Sequence, residues 1–141
     1  MPIKFFNEDT SYQIKNKRKL IKWIDNSIQK EKSLLGDINF IFTSDNYLLN
    51  INKEYLSHNY YTDIVTFNYC QNKTINGDIF ISIETVKNNS KRFSVTLIEE
   101  LHRVIIHGVL HLIGYDDQNN EEKALMREKE NYYLDRLKNL F

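Results

Sequence analysis

His107-Gly108-Val109-Leu110-His111-Leu112-Ile113-Gly114-Tyr115-Asp116-Asp117 is the stretch that decides how the rest of this chain is read. Leu97, Leu101, Val104, Ile105 and Leu112 recur at helical spacing between Ser94 and Ile113, so the run begins inside an amphipathic helix. His107 and His111 stand four apart on that helix, which points their imidazoles the same way, one turn above the other. Gly114 falls where the helix must stop and the chain reverse, and glycine takes the positive φ that such a stop uses. The reversal can return an acid to the two histidines. Asp117 has the better offset; Asp116 is its rival, as a ligand or as a hydrogen-bond partner of the ligands.

Two imidazole nitrogens and a carboxylate oxygen, each approaching an ion to about 2.0–2.1 Å, make a three-donor set without thiolate. Such sets leave a fourth position open and belong to catalytic rather than structural centres. One ion is expected, Zn2+ or another divalent transition metal, because the carboxylate donor widens the range accepted. Its chemistry would be stabilisation of charge on a phosphoryl or carbonyl oxygen. A pair of helical histidines alone carries little weight. Gly114 and an acid at the right distance give it weight, and an unpaired imidazole beside an apolar stripe would be costly to bury. Zincin metalloproteases use a similar helix and turn, but they place a general-base glutamate directly after the first histidine. That position here is Gly108, so the peptidase mechanism lacks its base.

Working outward, Ile3 to Asn7 reads as a short strand, and Leu20, Ile21, Ile24 and Ile28 make Asn16 to Lys30 an amphipathic helix. Leu35-Gly36-Asp37 is a turn signal, after which Ile38, Phe40 and Phe42 alternate with Asn39, Ile41 and Thr43 as a half-buried strand. Ser44 is placed to cap a helix whose Tyr47, Leu48, Ile51 and Tyr55 share a face. Ile64 to Tyr69 and Asp78 to Ser82 read as strands of a hairpin, with Asn76-Gly77 as the turn dipeptide. Asn120 is expected to cap a last helix from Glu121 to about Leu140, with acids in its first turn. Strands and helices mix without regular βαβ alternation. The expected fold is therefore α+β, a single domain over 1–141, with a small mixed sheet flanked by helices and a zincin-like metal-binding helix and turn.

Composition narrows the function. Lys+Arg and Asp+Glu balance at 19 each, which disfavours a general nucleic-acid coat but leaves room for an enzyme with a local basic groove. Nine Tyr and eight Phe supply core material, which argues against disorder. Cys70 is the only cysteine, so no intramolecular disulfide can form and a reducing compartment is expected. No apolar run has the length of a signal peptide near Met1 or of a membrane span elsewhere, so a cytoplasmic location and no membrane partner are expected.

The metal run resembles the signature of the YbeY family, His-Gly-x-Leu-His-Leu-x-Gly-Tyr-Asp-His, with Asp117 in place of the third histidine. Asn52-Lys53-Glu54-Tyr55, Thr62-Asp63-Ile64-Val65-Thr66-Phe67 and Gly77-Asp78-Ile79-Phe80-Ile81-Ser82 are similar to further family blocks, in order and in spacing. Leu56 stands where the family usually carries a functional arginine; His58 is a candidate replacement donor, though a surface or helix-end histidine is the simpler reading. The resemblance implies a metal-dependent, single-strand-specific endoribonuclease, a hydrolase acting in small-subunit (16S) rRNA maturation and ribosome quality control. Its implied partners are single-stranded or ribosomal RNA and the small ribosomal subunit or assembly proteins. Two other readings stand beside it: a ribosome-assembly factor whose metal only fixes the turn, and a metal hydrolase of another substrate, which Gly108 disfavours.

Arg103, four before His107, is placed to reach a substrate phosphate; the alternative is a helical ion pair with Glu99. Lys15, Lys17, Arg18, Lys19 and Lys22, or Lys87, Lys91 and Arg92, could line an RNA groove or simply be solvated helix faces. Thr62 and Asp63 either hydrogen-bond the metal ligands or open a strand. Tyr115 is expected to pack against the turn, and Cys70 to be a small core or strand residue.

Overall fold

Ile38, Phe40 and Phe42 point to one face of a central strand and Ile41 and Thr43 to the other, and all five are buried. This strand is covered on both sides, and the half-exposed alternation expected of it does not hold. The computed structural model describes residues 2–56 and 62–140. Its elements run β1 (Ile3–Asn7), α1 (Lys17–Lys30), β2 (Leu34–Thr43), α2 (Asp45–Leu56), β3 (Ile64–Asn68), β4 (Thr74–Ser82), α3 (Ile83–Arg92), α4 (Leu97–Ile113) and α5 (Asn120–Leu140). The sheet order is β1-β2-β4-β3, with β1, β2 and β4 parallel and β3 antiparallel to β4 at the edge. The result is a single α+β domain with a mixed sheet, as the patterning predicts.

The main core lies between one face of the sheet and helices α1, α4 and α5. Trp23, Ile24 and Ile28 of α1, Val104, Ile105 and Val109 of α4, and Met126, Tyr133 and Leu137 of α5 contribute to it. On the other face α2 sets Leu48 and Ile51 against Val65, a smaller cluster that covers the far side of β4 and β3. The Ser44 hydroxyl accepts from the Tyr47 N–H at 3.2 Å, the cap expected for α2. Tyr55, placed on the apolar face by spacing, is 63% exposed.

Three local expectations are corrected. Leu35-Gly36-Asp37 is not a turn but lies within β2, and Asn76-Gly77 lies within β4. The two signals meet across the sheet. The register between β2 and β4 shifts between Leu35 and Ile38, and the Asp37 N–H donates to Asn76 Oδ1 at 2.8 Å, so both mark one bulge. The β3–β4 hairpin instead reverses around Asn72, whose φ is 57°, with Gln71 and Thr74 paired. The cap of α5 is Asn119, one residue early, its Oδ1 accepting from Glu122 N–H at 2.8 Å. Helix α3 escaped the periodicity reading because only Val86 and Ser90 of its ten residues are buried. Its start is nonetheless encoded, by a Ser82 hydroxyl that accepts from the Thr85 N–H. No helix among the described residues is long and apolar enough to cross a membrane.

Candidate metal centre

Helix α4 is fixed at both ends by its own sequence. Thr96 and Glu99 form a reciprocal capping box at its start. At its end Gly114 adopts φ 126°, a value that a residue with a Cβ rarely takes. The Leu110 carbonyl accepts from the N–H groups of both Gly114 and Tyr115, at 3.1 and 3.0 Å, and closes the last turn. The chain then folds back towards the face that carries the histidines.

His107 Nε2 and His111 Nε2 lie 3.0 Å apart, and Asp117 Oδ2 is 3.4 Å from each. Donors held about 2.0–2.1 Å from a tetrahedral ion must stand about 3.3–3.4 Å from one another. The observed triangle is close to that size, and the donor types suit zinc and its divalent neighbours. Among the described residues these three form the one cluster of this kind. Asp116, the rival acid, is exposed and outside it. The three side chains keep 21%, 22% and 34% of their surface exposed, so a fourth partner can reach them from solvent.

Helix α5 completes the arrangement. Glu130, buried, places Oε2 2.6 Å from His107 Nδ1, the ring nitrogen turned away from the triangle. This contact fixes the ring and leaves Nε2 to face the other donors. Arg103 donates through Nη1 to Glu130 Oε1 and through Nη2 to Asn131 Oδ1, both at 2.9 Å. The alternative partner for Arg103 is excluded by the same geometry, since the Glu99 carboxylate is engaged at Thr96.

Charge is uneven across this group. Burial works to lower the His107 pKa, but the Glu130 bond and the charges of Glu130, Asp117 and Asp63 outweigh it and hold it above the usual value. His111 goes the other way, pushed down by burial and then by His107, with Asp117 opposing. Burial would raise Glu130, yet His107 and Arg103 keep it below the usual carboxylate range. Asp63 is raised, first by burial, with Glu130 and Asp117 adding to the effect against the pull of His107.

The centre opens into a cleft of about 330 Å3, with Asn52, Asp63 and Thr66 across from the ligands. Asp63 thus lines the site, while the Thr62 hydroxyl donates locally to the Ile64 carbonyl at 3.3 Å. No lysine or arginine among the described residues lines the cleft; the basic stretches of α1 and α3 lie elsewhere. Gly108 has a packing reason. A Cβ there would stand 2.8 Å from Ile64 Cδ1 and 3.0 Å from Ile79 Cγ2, so the glutamate that proteases carry at this position would have to displace these isoleucine side chains. Tyr115 packs at the turn, and the Cys70 thiol sits half-buried beside the Leu112 and Asn76 carbonyls. Leu56 ends α2, and His58 lies outside the described residues.

Sequence reasoning missed Glu130. Its signal was present: Met126, Glu130, Tyr133 and Leu137 are spaced four, three and four along α5, and all are buried, which puts an acid in an apolar stripe.

The family model for Endoribonuclease YbeY matches residues 3–138. Proteins named Endoribonuclease YbeY are similar throughout. One from Cytophaga hutchinsonii is 47% identical over 92% of this chain and 92% of its own length. One from Karelsulcia muelleri is 48% identical over 89% of each. A solution structure of a Thermotoga maritima protein superposes with TM-score 0.65 and 27% identity, covering 96% of this chain and 88% of that one. With the family model matched over nearly the whole chain and nearly half of its residues identical to those of such relatives, this chain belongs to the Endoribonuclease YbeY family.

Proposed function

We propose that this protein is a metal-dependent endoribonuclease that cuts single-stranded RNA, with a role in maturation of small-subunit (16S) rRNA and ribosome quality control in the cytoplasm. The observation that carries the chemistry is the triangle of His107 Nε2, His111 Nε2 and Asp117 Oδ2 opening on a cleft. Zn2+ is the ion that best suits two imidazoles and one carboxylate, and when bound it would supply Lewis acidity toward a phosphoryl oxygen. The protein's own groups do the rest. Glu130 orients His107, and Arg103 holds Glu130 in place. Asp63, its pKa raised by burial, lies across the cleft as the group to take or return a proton during attack on phosphorus. Arg103 stands outside the cleft lining but is 26% exposed, and a contact with a substrate phosphate, the role first assigned to it, would require it to release Asn131. The RNA partner follows from the family name its relatives carry. The ribosomal partners rest on the resemblance alone.

Purified protein is assayed for bound metal and for cleavage of a single-stranded RNA, beside His111→Ala. Loss of both metal and cleavage in the variant is the expected outcome. Cleavage that persists unchanged in His111→Ala would remove the catalytic centre proposed here. Normal metal content with ribosome binding but no cleavage by either protein would favour an assembly factor instead.

A further inference from the structure

Glu31 follows the last residue of α1, far from the metal run in sequence, yet its carboxylate is the meeting point of three donors. Tyr115 donates to Oε1 at 2.6 Å, Lys129 to Oε2 at 3.2 Å, and the Tyr133 hydroxyl also donates to Oε2. Lys129 Nζ additionally sits 5.5 Å from the centre of the Tyr115 ring. Tyr133 is fully buried and the Glu31 side chain is only 10% exposed, so these bonds are sheltered from water. Tyr115 is the residue that matters for the site. It stands one after Gly114 and two before Asp117, in the middle of the turn that returns the carboxylate to the histidines.

We propose that Glu31 is a positioning residue of the metal centre: through Tyr115 it ties the turn that carries Asp117 to the end of α1, and so sets how tightly the ion is held. The proposal rests on the reading that His107, His111 and Asp117 bind an ion. The three donors divide the roles cleanly. Tyr133 and Lys129 come from α5 and anchor Glu31 itself, Lys129 also resting on the Tyr115 ring, whereas Tyr115 makes the direct hydrogen bond from the turn to Glu31. A turn free to move would present Asp117 only part of the time, and ion affinity falls by the fraction lost.

Two measurements separate this from a purely structural role. Co2+ is titrated into wild type, Tyr115→Phe, Glu31→Gln and Tyr133→Phe, its visible absorption giving the dissociation constant. Amide hydrogen exchange at Tyr115 is followed in the metal-free proteins, beside thermal unfolding. Tyr115→Phe and Glu31→Gln are expected to weaken Co2+ binding about tenfold and to speed exchange at residue 115 by a similar factor. Tyr133→Phe, which leaves Lys129 on Glu31 and the Tyr115 bond in place, should lower the melting temperature and weaken Co2+ binding clearly less than Tyr115→Phe does. If Tyr115→Phe, the mildest change, binds Co2+ as wild type does and exchanges no faster, the proposal is overturned. It is also overturned if Tyr133→Phe weakens binding as much as Tyr115→Phe. Equal Co2+ uptake by wild type and His111→Ala would instead sink the metal reading, while hydrogen exchange still decides whether Glu31 fixes the turn.

Discussion

Glu130 holds a ring nitrogen of His107 with one oxygen and a guanidinium nitrogen of Arg103 with the other. Replacing it by glutamine keeps the shape and removes the charge. Glu130→Gln is expected to weaken metal binding by about 10- to 100-fold, the range found when the hydrogen-bond partner of a ligating histidine is lost. Competition against a chromophoric chelator measures this, and an unchanged dissociation constant would show that His107 needs no such support. The same residue shows how far a sequence can be read. His107 and His111 were legible because their spacing and the glycine after them put both on one helix face before a turn, whereas the choice of Asp117 over Asp116 needed the folded turn. Glu130 and Glu31 were not, because each is joined to the centre by packing of distant helices, and nothing local to residue 31 or 130 states which helix it will meet.

Gly108 of α4 faces Ile64 of β3 and Ile79 of β4 with no side chain of its own between. Gly108→Ala would place a methyl group 2.8 Å from Ile64 Cδ1, so α4 must shift outward or β3 must yield. Overpacking of this kind costs about 1–3 kcal/mol, to be read from the urea midpoint. A stability equal to wild type would mean that the isoleucines repack freely. At this scale the elements most clearly seen in sequence were those with an apolar stripe, α1, α4 and the strands. Helix α3 lacked one. The Gly36-Asp37 and Asn76-Gly77 signals were true signs of irregular backbone, yet they mark a β-bulge shared by two strands rather than two chain reversals. Such an assignment needs the partner strand, which local sequence does not name.

Over the whole molecule, two carboxylates tie α5 to the rest, the partly buried Glu31 to α1 and the turn and the buried Glu130 to α4. Burial opposes the ionised form of Glu31, but Tyr115, Tyr133 and Lys129 outweigh it and lower its pKa; Glu130 is lowered as well. A carboxylate whose folded pKa lies below its unfolded value of 4.5 contributes stability that is fully present above that value and lost as pH falls through the folded one. The contribution of these two groups is therefore expected to be lost below about pH 4.5, and Glu31→Gln, already lacking the charge, to lose less over the same interval. Urea unfolding from pH 7 to pH 3 tests this, and parallel curves for the two proteins would refute it. The position of α5 has a consequence for biosynthesis as well. A growing polypeptide acquires both imidazoles and Asp117 before Glu130 has been translated, so for that interval the nascent chain carries the donors without the clamp that aligns them. Ordering of the His107 ring, and with it the ion affinity that the proposed function requires, is thus deferred until α5 has emerged and docked.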